Sequence, residues 1–326
     1  MEFDFVMPWV DGGDPKWVEI RNLYSDKPVS EAQYRDWDIL KYWFRAVEKY
    51  APWVHKIHFV TFDQIPEWLN AEHEKLHLVD HKDYIPAEYL PTFSSHVIEL
   101  NFHRIEGLAE HFVYFNDDMY LTAPVQESDF FVDGKPCESV IMSATMPSVV
   151  GDPFVHFLCN NLSVINTHFP KYSTLKRHFF KWFSPKYGKL LFKNLYYGVL
   201  GRFSGFQNSH MPSAMLKSVF EEVWEKEPQL LDNTCRHKFR SREDVNQYVM
   251  SQYNICKGNF VPRKPNVGKF FTVGENNEAL YESLRSGRYK MICINDSVNA
   301  IDFEKEKEQL LKVFEEVFPE KSTFEK

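Results

Sequence analysis

Asp117 and Asp118 stand side by side after Val113-Tyr114-Phe115-Asn116, and the apolar run Met119-Tyr120-Leu121 follows them. The β-branched and aromatic residues predict a short buried strand that delivers two carboxylates to its end. In an open α/β sheet, ligands gather outside the carboxyl ends of the strands. Adjacent acids repel unless a cation or a shared proton relieves them. Divalent-metal binding beside a phosphorylated substrate is therefore one reading, and oxygen ligands suit Mg²⁺. An Asx-type turn with both acids in water is the other. A second acid at a predicted strand end is Asp296, after Met291-Ile292-Cys293-Ile294-Asn295. His210 precedes a helical pattern of Leu216, Val219, Phe220 and Val223, a place where an anionic group would meet backbone N–H donors. The run Cys235-Arg236-His237-Lys238-Phe239-Arg240-Ser241-Arg242 either clamps phosphate or is solvated.

These residues need a frame. Phe3 to Met7 reads as a first strand that Pro8 ends, since proline cannot donate to a sheet ladder. Gly12 and Gly13 then bring backbone N–H groups close to a ligand, and Asp11 and Asp14 are placed to cap the helix that Pro15 and Trp17 begin. Leu40, Trp43, Phe44 and Val47 share a helical stripe. Ile57–Thr61 and Leu76–Asp80 read as strands. Leu90-Pro91-Thr92-Phe93-Ser94-Ser95 opens a helix, with Ser94 or Ser95 as N-cap, that carries Glu99, His103 and Arg104; Glu99 and His103, four apart, share a face of it. Strands alternating with helices predict a doubly wound, mainly parallel α/β sheet. Residues 1–326 read as a single catalytic domain, with 122–206 as an insertion or lid and 303–326 as a C-terminal amphipathic helix.

Composition narrows the function classes. A chain of 326 residues with 44% hydrophobic and 26% charged residues has a sizeable core. Its formal charge of −8 argues against general nucleic-acid binding. Five scattered cysteines, Cys137, Cys159, Cys235, Cys256 and Cys293, form no CxxC pair, which speaks against a disulfide framework or a zinc site. An apolar segment beginning at Phe3 leaves no room for a secretory signal, and no run approaches a membrane span. The expected compartment is the cytoplasm. Lys171 to Phe206 carries eight Lys or Arg, eleven aromatics and no Asp or Glu, which leaves −16 for the rest of the chain. Such a stretch lies on an anionic membrane surface, forms a lid that draws in anionic substrates, or packs as an ordinary helical insertion.

Taken in order, four blocks resemble the Stealth family of hexose-1-phosphate transferases. This family includes bacterial capsule-polysaccharide phosphotransferases and the catalytic core of the animal enzyme that tags lysosomal glycoproteins. The blocks are Phe5 to Pro15 around Trp9-Val10-Asp11-Gly12, Tyr34 to Asp118, Ser209 to about Tyr253, and Ile292 to Ser297. The second is the most specific, with Tyr34-Arg35-Asp36, Ala51-Pro52-Trp53, Gln64-Ile65-Pro66-Glu67-Trp68-Leu69-Asn70, Leu90-Pro91-Thr92-Phe93, His103-Arg104-Ile105 and Asn116-Asp117-Asp118 in the family's order. Two positions depart from it: Pro8 replaces the usual Thr, and Thr61-Phe62-Asp63-Gln64 replaces Thr-Asp/Asn-Gly-Gln.

The resemblance implies a glycosyltransferase-like nucleotide-sugar fold. It also implies transfer of a sugar-1-phosphate from a nucleotide sugar, typically a UDP-hexose, to a hydroxyl of an acceptor glycan that grows on a lipid carrier at the inner face of the membrane. Family members carry functional groups at positions matching Glu99, Asp118, His210 and Arg240. His210 or Asp118 would serve as base, and Arg240 with Mg²⁺ or Mn²⁺ would offset phosphoryl charge. Asp117, Asp118 and Asp296 are the expected metal ligands. Trp9, Asp11, Gly12, Arg35, Arg104 and Asn116 are the expected substrate-binding residues. A conventional glycosyltransferase attacking the anomeric carbon and a non-catalytic glycan- or membrane-binding protein are the rival readings.

Overall fold

A computed structural model of the chain describes residues 1–25, 36–147, 152–296 and 302–326. Arg35 therefore lies outside the described residues. The strands in order are β1 (Phe3–Pro8), β2 (Ile57–Thr61), β3 (Leu76–Asp80), β4 (His111–Tyr114), β5 (Met119–Leu121), β6 (Phe131–Val132), β7 (Lys135–Glu138), β8 (Ser213–Leu216), β9 (Val261–Pro262), β10 (Gly268–Thr272) and β11 (Met291–Asn295). The main sheet has the order β3-β2-β1-β4-β8. Its first four strands are mutually parallel, and β8 runs antiparallel to β4. This is the mainly parallel α/β sheet expected of the sequence. Strands covered on both faces read as continuous apolar runs, and Phe5, Val6, Phe59, Val60, Phe112 and Val113 are all fully buried.

Two further three-stranded sheets complete the frame, β10-β11-β5 and β6-β7-β9. The chain passes from the main sheet into the second one through the turn that holds Asp117 and Asp118, between β4 and β5. Phe115 pins that turn beneath the surface, its ring 4.8 Å from Phe5 and 5.4 Å from Trp43. Trp43, Phe44 and Val47 of the helix Leu40–Tyr50 are fully buried, as their spacing predicts.

Some local expectations change. Asp14 does cap the helix Pro15–Asn22, accepting from Lys16 N at 2.9 Å, whereas Asp11 accepts from Gly13 N at 2.8 Å inside the loop. The helix expected to carry Glu99 and His103 together stops at Leu100, and a separate 3₁₀ turn covers Phe102–Arg104. Asn101 breaks it: its side-chain amide turns back to donate to Val97 O at 2.8 Å, competing with the helical ladder. Ser94 precedes this helix without making a side-chain cap. Leu216, read as the first residue of a helix face, instead ends β8. In the basic aromatic segment, Trp182 is fully buried.

The C-terminal helix Phe303–Val317 and the residues after it close back on the helix Leu40–Tyr50. Arg45 is 6% exposed and forks onto Glu325, Nε to Oε1 and Nη2 to Oε2, both at 2.8 Å; Nη1 donates to Phe318 O at 2.6 Å. Removing one member of a buried pair leaves the other charged and unpaired, so Arg45→Ala is expected to cost about 3–5 kcal/mol in urea unfolding. Glu325 is held below its ordinary value: its burial acts to raise it, but the hydrogen bond from Arg45 and those from Ser322 outweigh that. A carboxylate depressed in the folded state stabilises fully above its unfolded value. The clamp should therefore hold near neutrality and weaken as the pH falls below the usual carboxylate range. Unfolding that shows no such acid dependence, or a loss below 1 kcal/mol in the variant, would contradict this account.

Candidate active site

Antiparallel pairing explains how residues far apart in sequence meet. Tyr114 at the end of β4 faces Ser213 at the start of β8. Asp118 lies just beyond the first and His210 just ahead of the second, so both come to the same edge of the sheet. His210 Nε2 is 3.4 Å from Asp118 Oδ2 and 3.4 Å from Asn116 Nδ2, and Nδ1 is 3.0 Å from the Tyr248 hydroxyl. His210 adopts a φ of 47°, a left-handed backbone that histidine seldom takes, and its N–H donates to Asn208 Oδ1 at 2.8 Å. Strain of this kind persists where the surroundings over-determine a side chain's position.

Asp118 is fixed from the second sheet. Its carbonyl accepts from Ile294 N at 2.8 Å, and its Oδ2 accepts from the Cys293 thiol at 3.1 Å. Burial, then the charge of Asp118, push that thiol far above its usual value, so it stays a donor. One carboxylate oxygen, Asp118 Oδ1, is buried with no hydrogen-bond partner. A buried polar atom left so costs about 1–3 kcal/mol, more when charged. Asp117 keeps part of its surface in solvent, and crowding by the protein around it, then the charge of Asp118, push its carboxyl above the ordinary value. The charge of Asp36 adds to this, and Asp36 is itself raised by burial first, then by the charges of Asp38 and Asp11. Four acids thus concentrate negative charge in one neighbourhood, and one of their oxygens, Asp118 Oδ1, is buried without a partner. This arrangement fits a divalent cation. Ligand atoms of Asp118, His210 and Cys293 lie within 4.8 Å of one another. Asp117 and Asp296 are outside that group, and Asp296 accepts from the Trp37 indole at 3.2 Å.

A second arm reaches the site from beneath. Glu99 is 4% exposed and accepts from the Tyr114 hydroxyl at 2.8 Å; that hydroxyl also lies against Asn116 Oδ1. Burial raises the Glu99 carboxyl despite His96, Tyr114 and Arg240 nearby. A chain of polar contacts therefore runs from Glu99 through Tyr114 and Asn116 to His210. Arg240 is exposed and donates to Ser95 Oγ at 2.7 Å, on the helix that bears Glu99. Its loop is pinned by Asp244, fully buried, which bridges His237 Nδ1 at 2.7 Å and His96 Nδ1 at 2.9 Å. Lys238 of the same basic run donates to the carbonyls of Tyr89 and Leu90, a structural task.

The donor-side loop is clamped by Gln64, which accepts from Asp11 N at 2.9 Å and donates to Asp11 O and Asp14 Oδ2, each at 3.0 Å. Trp9 stacks on Phe59 at 5.7 Å, and Gly12 is buried. Arg104 is turned elsewhere, its guanidinium 4.9 Å over Trp224 and its Nε on Asn101. Sequence reasoning assigned no role to Cys293, Tyr114, Tyr248, Asp244 or Gln64. Only Cys293 and Gln64 had a usable signal, the first in the apolar run that leads to Asp296, the second as the retained end of a family motif.

Comparison with known proteins now decides the lineage. Residues 33–138 match the model of Stealth protein conserved region 2, and residues 282–326 match that of conserved region 4. The exopolysaccharide phosphotransferase cps2G of Lactiplantibacillus plantarum is 42% identical over 100% of this chain and 96% of its own. The capsular polysaccharide phosphotransferase WcwK of Streptococcus pneumoniae is 40% identical over 100% and 98%. The receptor polysaccharide phosphotransferase WefC of Streptococcus gordonii is 42% identical over 99% of each. The chain belongs to the Stealth family. It is a phosphotransferase. Among solved structures, the Streptococcus pneumoniae glycosyltransferase GlyE is a distant likeness, 12% identical with a TM-score of 0.38 over 98% of this chain and 64% of that one.

The Stealth chain's departures from the family pattern have local explanations. Asp63, where the pattern has glycine, keeps the left-handed backbone at φ 55°, a conformation that aspartate tolerates. Gln64, beside it, keeps the clamp on Asp11. Pro8 ends β1 opposite Val60, and Trp9 N takes over the hydrogen bond to Val60 O at 2.8 Å.

Proposed function

We propose that this Stealth phosphotransferase moves a hexose-1-phosphate from a nucleotide sugar, a UDP-hexose, to a hydroxyl of a glycan acceptor in capsule or exopolysaccharide synthesis. The observation that supports this most is His210, held by Tyr248 on one side with its Nε2 facing Asp118, in a full-length relative of polysaccharide phosphotransferases. With the Nδ1 hydrogen given to Tyr248, Nε2 offers a lone pair to the acceptor hydroxyl. The acceptor oxygen attacks the β-phosphorus, and the bond from that phosphorus to the bridging oxygen breaks. Its electron pair leaves with the nucleoside monophosphate. The acceptor proton passes to Nε2, and Asp118 steadies the resulting imidazolium. Arg240 carries its positive charge to the transferring phosphoryl group. Glu99 acts through Tyr114 and Asn116 as a positioning residue. Asp118, through the Oδ1 left without a partner, would hold Mg²⁺ or Mn²⁺ with Asp117 next to it in the chain, and the ion supplies positive charge to the phosphate oxygens when bound. No helix among the described residues is long and apolar enough to cross a membrane. The reading places the enzyme in the cytoplasm, with an acceptor that is lipid-linked.

The test is the nucleotide released. Incubation with a panel of nucleotide sugars and an acceptor glycan should yield UMP, and excess chelator should stop it. Asp118→Asn should lower turnover at least ~10²-fold, as loss of a preorganised charge does, with an unchanged circular dichroism spectrum. Release of UDP would mean attack at the anomeric carbon. Undiminished activity in chelator would remove the cation from the scheme.

A further inference from the structure

The helix Leu191–Gly198 is inside out. Phe192, Leu195, Tyr196 and Val199 follow the i, i+3, i+4, i+7 spacing of an apolar stripe. Such stripes normally face a core, but here Phe192 is 73%, Tyr196 70% and Val199 73% exposed. The opposite face is held by a polar residue: fully buried Asn194 accepts from Met142 N and donates to Val140 O and Trp182 O. Neighbouring helices extend the patch. Tyr172 is exposed and donates to Val199 O at 2.9 Å. Phe180 is 87% exposed and touches Phe179, which packs on Phe183 at 4.8 Å, and Phe183 lies beside Gly198. Apolar patches of this kind mark interaction sites.

Charge identifies the occupant. Of the segment's eight bases, Lys171 and Lys181 are spent on internal carbonyls, Lys171 on Tyr197 and Arg202, Lys181 on Gly258 and Phe260. Lys176, Arg177, Lys186, Lys189, Lys193 and Arg202 are exposed, and no acid lies between residues 171 and 206. Exposed aromatics ringed by cations suit the headgroup region of an anionic bilayer, where rings enter shallowly and bases meet lipid phosphates. A two-fold contact with a second copy would set like charges against each other. We infer that residues 171–202 form a peripheral docking surface for anionic lipid bilayers, with the 191–199 stripe as its apolar contact.

The test uses the full chain and vesicles, and does not depend on the catalytic reading. The protein should co-sediment with vesicles of phosphatidylcholine and phosphatidylglycerol but not phosphatidylcholine alone, and salt should weaken this. Lys189→Glu with Lys193→Glu should lower partitioning by about 30-fold or more. Phe192→Ser with Val199→Ser should abolish it at physiological salt, while the melting temperature stays within a few degrees of wild type for both double variants. No binding to anionic vesicles at low salt, or binding that survives both pairs, overturns the inference. A concentration-dependent dimer that the serine pair dissociates, without vesicle binding, assigns the face to a second copy. Turnover on a soluble acceptor lost in the charge reversals, again without vesicle binding, assigns it to a lid.

Discussion

Arg240→Ala is expected to lower kcat about 10³–10⁵-fold, the range for an arginine that offsets charge in phosphoryl transfer. The guanidinium is free of carboxylate partners among the described residues and is aimed by Ser95. Its loop is held by the buried Asp244 bridge rather than by Arg240 itself. Truncating Arg240 should therefore remove the charge without loosening the frame. A rise in donor KM at unchanged kcat would make it a binding group only. Lys at the same position should recover part of the rate, because it restores the charge but not the planar fork.

His210→Asn is expected to lower kcat ~10²–10⁴-fold, the usual loss for a general base. Asparagine is the informative substitution because it tolerates the left-handed φ of 47° at this position, whereas alanine adds a strain of its own. Single-turnover measurement at saturating donor separates chemistry from binding. If the rate stays within about threefold of wild type, His210 is not the base. Tyr248→Phe should fall between the two, since it removes the partner of Nδ1 while leaving Nε2 beside Asp118.

Much of the main sheet was readable because its inner strands are mostly apolar and buried on both faces, as in β1 and β2. Short strands carry too little pattern. Ser213-Ala214-Met215-Leu216 follows a proline and leads into an apolar helix, so β8 carries no pattern of its own and Leu216 reads as part of the helix face. Its loss hid the antiparallel step that brings His210 to Asp118. The split between Glu99 and His103 was hidden for another reason: a single side-chain amide, Asn101, ends the helix from within. His103 instead packs against Phe220 and Trp224. The acids, His210 and Arg240 stood out by type and by resemblance. Tyr114, Tyr248 and Asp244 did not, since a phenol or carboxylate that positions its neighbour has no spacing rule in one dimension. Trp182 lies in the basic aromatic stretch, yet the fold takes it inside.

The clamp between Arg45 and Glu325 joins residues 280 positions apart. On the ribosome, Arg45 in the helix Leu40–Tyr50 emerges 280 residues before Glu325 does. Until residues 318–325 appear, Arg45 has neither its carboxylate nor its carbonyl, and Phe324 has not covered Phe44. Contacts of such long range form late and slow the search for the native state. The nascent polypeptide consequently leaves part of this apolar helix face uncovered until the C-terminal segment is made, the kind of surface that favours aggregation. A chain broken off before residue 318 encodes His210, Asp118 and Arg240 but leaves Arg45 without its carboxylate and its carbonyl.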